Sequence, residues 1–204
     1  MFLYLLILSI LTFIINQFLL KKNLLISITG DIHQKFASYS KVPLTGGAFI
    51  FLGFLYFFSK DVSLFIFFSF IVLILGFFSD LKLIKSANSR FLLQALLVII
   101  FVTLANIQIA ETRIILLDKL LTIDIINYFF VTFCILILMN GSNFIDGLNT
   151  LSVGYYLLIS IVLFYLISYQ NINFEYIPIE YLISLFLCVF ILNAINRIYL
   201  GDSG

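Results

Sequence analysis

Long apolar runs separated by short polar stretches make up almost the whole chain. The runs predict seven helices, at about 1–20, 44–59, 62–79, 91–109, 124–139, 150–169 and 179–196. Because an α-helix rises about 1.5 Å per residue, about 20 such residues cross the roughly 30 Å hydrocarbon core of a bilayer. The second and fifth runs are short for a full span, so they either thin the bilayer locally or end inside the protein at membrane depth. The pattern predicts an all-α, multi-pass transmembrane helical bundle of about seven helices, as a single domain over residues 1–204.

The composition is that of an integral membrane protein. The chain has 204 residues, 63% of them hydrophobic and 10% charged, whereas soluble domains carry about 25% charged residues. The first apolar run is followed, not preceded, by Lys21 and Lys22, so we expect a transmembrane helix rather than a cleaved signal peptide. Cys134 and Cys188 lie in apolar runs, and their spacing indicates neither a disulfide framework nor a metal motif. The net charge of +1 gives no support for nucleic-acid binding.

The distribution of basic residues predicts how the chain is oriented in the membrane. With the N-terminus outside, one set of loops holds eight of the 11 basic residues and the opposite set holds three. The eight are Lys21, Lys22, Lys35, Lys41, Lys82, Lys85, Arg90 and Arg197. Since the basic-rich side of a membrane protein is usually the cytoplasmic side, we expect these loops in the cytoplasm.

Four aspartates are the only acidic residues on that predicted cytoplasmic side: Asp31, Asp80, Asp146 and Asp202. Each of them has small or amide side chains next to it in the sequence. Short, stiff carboxylates beside glycines suit a hard cation or the phosphates of a nucleotide sugar. The four stretches are therefore expected to build one site.

Other interpretations of these stretches stay open at this point. Asn140 to Asn149 resembles a helix-capping turn between two spans, and Asp80 is placed to pair on the surface with Lys82 or Arg90. The ion path of a transporter or channel is disfavoured. Such a path needs polar residues at mid-membrane depth, whereas the centres of these helices are nearly pure hydrocarbon.

The polar motifs occur in an order that resembles a known family. They are Pro43-Leu-Thr-Gly46-Gly47, Gly76-Phe-Phe-Ser79-Asp80 followed by Arg90 and Gln94, Asn143-Phe-Ile-Asp146-Gly147-Leu-Asn149, and Gly201-Asp202-Ser203-Gly204. From about residue 28 to the last residue, this order resembles the polyprenyl-phosphate N-acetylhexosamine-1-phosphate transferases. These are membrane enzymes that start lipid-linked surface glycans.

The resemblance implies a pair of substrates, a cofactor and a location. The expected donor is a UDP-N-acetylhexosamine, the acceptor is undecaprenyl (polyprenyl) phosphate, and the cofactor is Mg²⁺. The expected place is the bacterial inner (cytoplasmic) membrane, among its lipids, with the active site on the cytoplasmic face; a homodimer is left open. The implied site residues are catalytic Asp80 and Asp146, substrate-binding Lys41, Arg90, Asn143 and Asn149, and metal-binding Asp80 and Asp202.

The chain departs from the family's pattern in three places. Ser79 stands where many members have the first Asp of a pair, and Asn149 stands where many have a second Asp. Two fewer carboxylates mean weaker metal binding or one fewer candidate base. Family members also continue past the Gly-Asp-Ser-Gly loop into further helices and a His-x-His loop, whereas this chain has one histidine, His33. We therefore expect a C-terminally incomplete chain, with a catalytically inactive or partial remnant of the family as the alternative to an active transferase.

Overall fold

The computed structural model describes residues 2–28, 41–56, 63–84, 86–145, 150–170 and 178–204. These residues form eight helices: α1 (Phe2–Lys22), α2 (Gly46–Leu55), α3 (Ser63–Asp80), α4 (Ala87–Leu104), α5 (Ile115–Leu121), α6 (Asp124–Ile145), α7 (Leu151–Gln170) and α8 (Ile179–Ala194). Two three-residue strands, β1 (Ile26–Ile28) and β2 (Lys41–Pro43), pair antiparallel, with Ile26 opposite Pro43. The prediction of an all-α fold is confirmed.

The helix count differs from the prediction by one short element. α5 has seven residues, with Asp118 and Lys119 among them, so it is too short to stand out as an apolar run. Five helices (α1, α3, α4, α6 and α7) are long and apolar enough to cross a membrane. The fifth predicted run proves not to be short, because α6 has 22 residues. α2 has only ten, which makes it about 15 Å long, and therefore remains too short for a full span.

Four of the helices end in the same way, with a left-handed residue followed by a backbone hydrogen bond that reaches back over the last turn. The left-handed residues are Asn23, Lys82, Asn106 and Asn196, with φ between 50° and 59°. After each of them the next N–H donates to the carbonyl five residues earlier: Leu24 to Leu19, Leu83 to Phe78, Ile107 to Val102 and Arg197 to Leu192. This Schellman arrangement pairs carbonyls that a helix end would otherwise leave open. Asparagine suits three of these positions because its short polar side chain tolerates the left-handed region.

The chain divides into two compact units, and the first comprises residues 1–83 and 143–204. In this unit α2 contacts α1, α3 and α8, and α7 packs along α8. Its core consists of the buried side chains Leu5, Leu8, Phe49, Val153, Tyr181, Leu185, Val189, Ile198 and Leu200. Packing on several sides buries α2, including Gly46 and Gly47 at its start. The start of this short helix therefore lies among protein groups.

The second unit comprises residues 84–142 and contains α4, α5 and most of α6. Val98 and Val102 of α4 pack with Val131 and Leu136 of α6. Because α4 and α6 run in opposite directions along this contact, they form a helical hairpin, and α5 lies in the connection that closes it.

Candidate active site

The last four residues, Gly201–Gly204, form a loop that lies against the start of α2 and the end of α3; we call it the Gly-Asp-Ser-Gly loop. Tyr199 attaches the segment before it to the Pro43–Gly47 motif. The Tyr199 N–H donates to the Pro43 carbonyl at 2.9 Å, and the Tyr199 carbonyl accepts the Gly46 N–H at 2.9 Å. Two motifs that are far apart in the sequence are therefore neighbours in the fold.

Glycines on both helices allow the loop backbone to approach closely. A Cβ at Gly76 of α3 would stand 2.5 Å from the Asp202 carbonyl oxygen and would also overlap the Ser203 backbone. A Cβ at Gly47 of α2 would overlap the Ser203 carbonyl group. Both glycines are buried. α2 and α3 therefore form a slot that admits this backbone only because neither position carries a side chain.

Asp80, the last residue of α3, binds the loop backbone through both of its carboxylate oxygens. Oδ1 accepts the Asp202 N–H at 2.8 Å, and Oδ2 accepts the Ser203 N–H at 3.3 Å. Gly201 adopts a left-handed φ of +67°, and a Cβ there would lie 2.8 Å from Asp80 Oδ2, so glycine is favoured on both counts. Hydrogen bonds from N–H groups to a carboxylate are stronger than those between neutral groups. Asp80 thus holds the turn that presents Asp202.

The Asp202 side chain is oriented by the residue before Asp80. The Ser79 hydroxyl donates to Asp202 Oδ2 at 2.6 Å, which is in the short range for a hydrogen bond to a carboxylate. Ser79 and Asp80 are consecutive, so the last turn of α3 binds both the side chain and the backbone of Asp202. Sequence analysis treated Ser79 only as a missing carboxylate. In the structure it is a hydroxyl donor at a place where a second carboxylate would repel Asp202.

The chemistry of these groups fits a hard divalent cation such as Mg²⁺. Carboxylate oxygens are its usual protein ligands, and one or two are enough when substrate phosphates and water complete the octahedron. In the part of the chain that the structure describes, no three His, Cys, Asp or Glu side chains come together as a metal cage. The Asp202 carboxylate, with that of Asp80 beside it, is of the ligand type that such a cation takes.

Two asparagines inside apolar helices hold the segment that leads to the loop, and sequence analysis missed both. Buried Asn16 of α1 donates to the Arg197 carbonyl at 2.9 Å and accepts the Thr45 hydroxyl at 2.9 Å. Buried Asn193 of α8 donates to the Ile198 carbonyl at 2.9 Å. The signal was present in the sequence, because an amide within an apolar run is costly unless its hydrogen bonds are met.

Three other predicted site residues are described, but their roles stay predictions. Lys41 is exposed at the start of β2, where its Nζ donates to Asn23 Oδ1 at 3.1 Å. Asn143 is half-buried in the last turn of α6, within the first unit. Arg90 is half-buried near the start of α4, in the second unit. Of the predicted set, the structure thus brings Asp80 and Asp202 together.

The remaining predicted positions lie outside the described residues. They are Asp146 and Asn149 of the predicted nucleotide-sugar motif, together with Asp31 and His33 of the first predicted cytoplasmic loop. Their expected roles therefore stay predictions from the sequence.

Comparison with known proteins bears on this site directly. Residues 62–204 match the model of Glycosyl transferase family 4. The matched segment contains Gly76, Ser79, Asp80 and the whole Gly-Asp-Ser-Gly loop, so it covers the helix end and the loop that form the cluster. No curated protein and no solved structure matches the chain. Because the match covers well over half of the sequence, the chain belongs to glycosyl transferase family 4, the membrane polyprenyl-phosphate sugar-1-phosphate transferases.

Proposed function

We propose that the protein transfers N-acetylhexosamine-1-phosphate from a UDP-sugar to undecaprenyl phosphate at the cytoplasmic face of a bacterial inner membrane. The observation that carries the proposal is Asp202 in a glycine loop, held by Ser79 and Asp80 at the end of a helix long enough to cross a membrane. A site at the end of a membrane span suits a reaction between a water-soluble nucleotide sugar and a phosphate on a lipid.

The proposed reaction transfers the β-phosphate of the UDP-sugar, with its sugar, from the α-phosphate to the lipid phosphate. An oxygen of the lipid phosphate attacks the β-phosphorus of the UDP-sugar and forms a new P–O bond. The bond from that phosphorus to the oxygen bridging the α- and β-phosphates breaks, and UMP leaves with the bridging oxygen. In phosphoryl transfer, catalysis consists mostly of positioning and of stabilising the charge that shifts between oxygens. Mg²⁺, when bound, supplies positive charge against the phosphate oxygens.

The contacts support different roles for the two clustered aspartates. Asp202 is the residue proposed to face metal and phosphate, because the Ser79 hydroxyl orients its carboxylate while Asp80 fixes its backbone separately. Both carboxylate oxygens of Asp80 accept hydrogen bonds from backbone N–H groups. We therefore assign Asp80 a positioning role that acts through Asp202.

The other members of the predicted site complete the proposal. Asp146 is the proposed base toward the lipid phosphate, since the oxygens of Asp80 already accept backbone hydrogen bonds. Asn143 and Asn149 are proposed to bind the nucleotide sugar. Lys41 and Arg90 are proposed to contact phosphate oxygens, where a point charge and a planar guanidinium each suit phosphate.

Release of UMP tests this function. The complete gene product, purified and reconstituted with lipid, is expected to release UMP from a UDP-N-acetylhexosamine only when Mg²⁺ and undecaprenyl phosphate are both present. Omitting either component is the control. Failure to release UMP with every UDP-N-acetylhexosamine tried, in protein that still binds the nucleotide sugar, would contradict the proposal and favour an inactive member of the family.

Replacing Ser79 by alanine is expected to weaken Mg²⁺ binding about 10-fold, within the range found when a group that orients a metal ligand is removed. The reason is that Asp202 loses the hydroxyl that donates to its Oδ2 at 2.6 Å. Thermal unfolding followed across an Mg²⁺ titration in the presence of UDP-sugar measures this affinity without requiring turnover.

Ser79→Thr is the matched control, because threonine keeps the hydroxyl at the same distance from the backbone. It should restore most of the Mg²⁺ affinity that alanine loses. If alanine and threonine shift the titration equally, the hydrogen bond to Asp202 does not orient a metal ligand.

A further inference from the structure

The connection between α4 and α6 carries an exposed apolar surface that belongs to neither span. Ile115 and Leu116, the first two residues of α5, are 78% and 75% exposed. Leu120, near the end of α5, and Ile123, just after it, are exposed as well. Neighbouring positions of this connection, including Glu111, carry charge and are also exposed. Large apolar side chains with this degree of exposure need a cover other than water.

Hydrogen bonds to α6 give α5 a defined orientation. Asn127, buried in the first turns of α6, donates to the carbonyls of Ile109 at 2.9 Å and Leu121 at 3.0 Å. Its side-chain oxygen accepts the Ile109 N–H at 2.9 Å. One amide therefore fixes the start of the connection and the end of α5 against the same turn.

A second contact joins α5 to the residues just before it. Asp118 Oδ1 accepts both the N–H and the hydroxyl of Thr112, at 2.7 and 2.6 Å. These bonds lower the pKa of the Asp118 carboxyl, so it stays ionised and continues to accept them. The side of α5 that carries Asp118 and the buried Leu121 therefore makes contacts within the protein.

The outward face of α5 is apolar at helical spacing. Positions 115, 116, 119 and 120 lie on one side of the helix, and Lys119 is the charged residue among them. A lysine suits such a face at a membrane boundary, because its long apolar stem lies along lipid while its ammonium group reaches the headgroups.

Exposed apolar side chains also lie at the ends of α4 and α6 that flank this connection. Leu104 at the end of α4 and Ile125 and Phe129 in the first turns of α6 are all exposed, and both helices are long and apolar enough to span a membrane. We propose that α5 is an interfacial helix. Its outward side chains, Ile115 and Leu116 foremost, insert among the headgroups and upper acyl chains of the leaflet at which the α4–α6 hairpin closes.

The absence of tryptophan from this sequence allows a direct test. Single tryptophans are introduced as Ile115→Trp and, separately, Leu116→Trp, and the protein is reconstituted in vesicles that contain lipids brominated at shallow or deep acyl positions. Because both native side chains are largely exposed, the larger ring has room. Glu111→Trp serves as the water-facing control, and Phe133→Trp serves as the deep control, since Phe133 is an exposed apolar residue further along α6.

The two α5 variants, Ile115→Trp and Leu116→Trp, are expected to emit at shorter wavelength than the water-facing control. Shallow bromines should quench them most, consistent with insertion of about 5–10 Å, whereas deep bromines should quench the deep control most. Emission and quenching of the α5 variants that match the water-facing control would overturn the proposal, as would quenching that matches the deep control. Blue-shifted emission that no brominated lipid quenches would also overturn it, because protein rather than lipid would then cover α5.

Discussion

Replacing Asp202 by asparagine is expected to lower the rate of sugar-phosphate transfer by about 10²–10³-fold, the loss typical of removing one group that stabilises charge in a transition state. Asparagine has nearly the same shape, and its amide oxygen can still accept the Ser79 hydroxyl that lies 2.6 Å from Asp202 Oδ2. The Asp202 N–H can still donate to Asp80. The loop should therefore keep its place while the negative charge proposed to face the metal is lost.

The measurement is the initial rate of UMP release at saturating UDP-sugar, with Mg²⁺ titrated in parallel. Asp124→Asn is the matched control. Asp124 is an exposed aspartate in the first turn of α6 that accepts a hydrogen bond from Gln108 Nε2 at 3.2 Å, and it belongs to the other compact unit. Asp124→Asn should retain the parental rate. A rate for Asp202→Asn that stays close to that of the control would show that Asp202 has no part in the proposed reaction.

Gly76→Ala is expected to destabilise the protein by about 1–3 kcal/mol, as overpacking in a tight contact does, and to lower activity about 100-fold through a small displacement of the reacting groups. The new Cβ would meet the Asp202 carbonyl oxygen at 2.5 Å and the Ser203 N at 2.6 Å. These atoms belong to backbone, which cannot rotate away as a flexible side chain can. The loop must therefore shift off α3, and the bonds from Asp80 and Ser79 to Asp202 lengthen with it.

Gly141→Ala provides a control of the same chemistry, because Gly141 is also within a helix and nothing lies within 4 Å of its would-be Cβ. Alanine there is expected to be neutral or to stabilise by roughly 0.5–1 kcal/mol, as the chain loses less backbone freedom on folding. Thermal unfolding and UMP release are measured on both variants. An equal response of the two variants would show that contact between loop and helix does not account for the effect at Gly76.

Most of the long helices could be predicted from the local pattern of apolar residues. The long apolar runs correspond to α1, α3, α4, α6 and α7, because a run of hydrocarbon of that length is stable as a helix in lipid whatever surrounds it. Several helix ends are also local features, since Asn23, Asn106 and Asn196 adopt the left-handed conformation that stops a helix. α5 could not be predicted in this way. Its seven residues are held by Asn127 and Thr112, which are contacts across a connection rather than a periodic pattern.

In the candidate site, too, some features could be predicted from the sequence and others depend on tertiary contacts. The motifs and their order were enough to single out Asp80 and Asp202 and to indicate the correct family. The reason is that the residue types that bind phosphate and metal are few and are costly in an apolar chain. No motif indicated that Asp80 holds the loop backbone, that Ser79 orients Asp202, or that Gly76 is a contact point. Those assignments depend on α2, α3 and the last residues of the first unit packing within van der Waals distance of one another. Such packing arises from contacts between residues distant in the chain, and local hydropathy and spacing carry no information about which distant groups will meet.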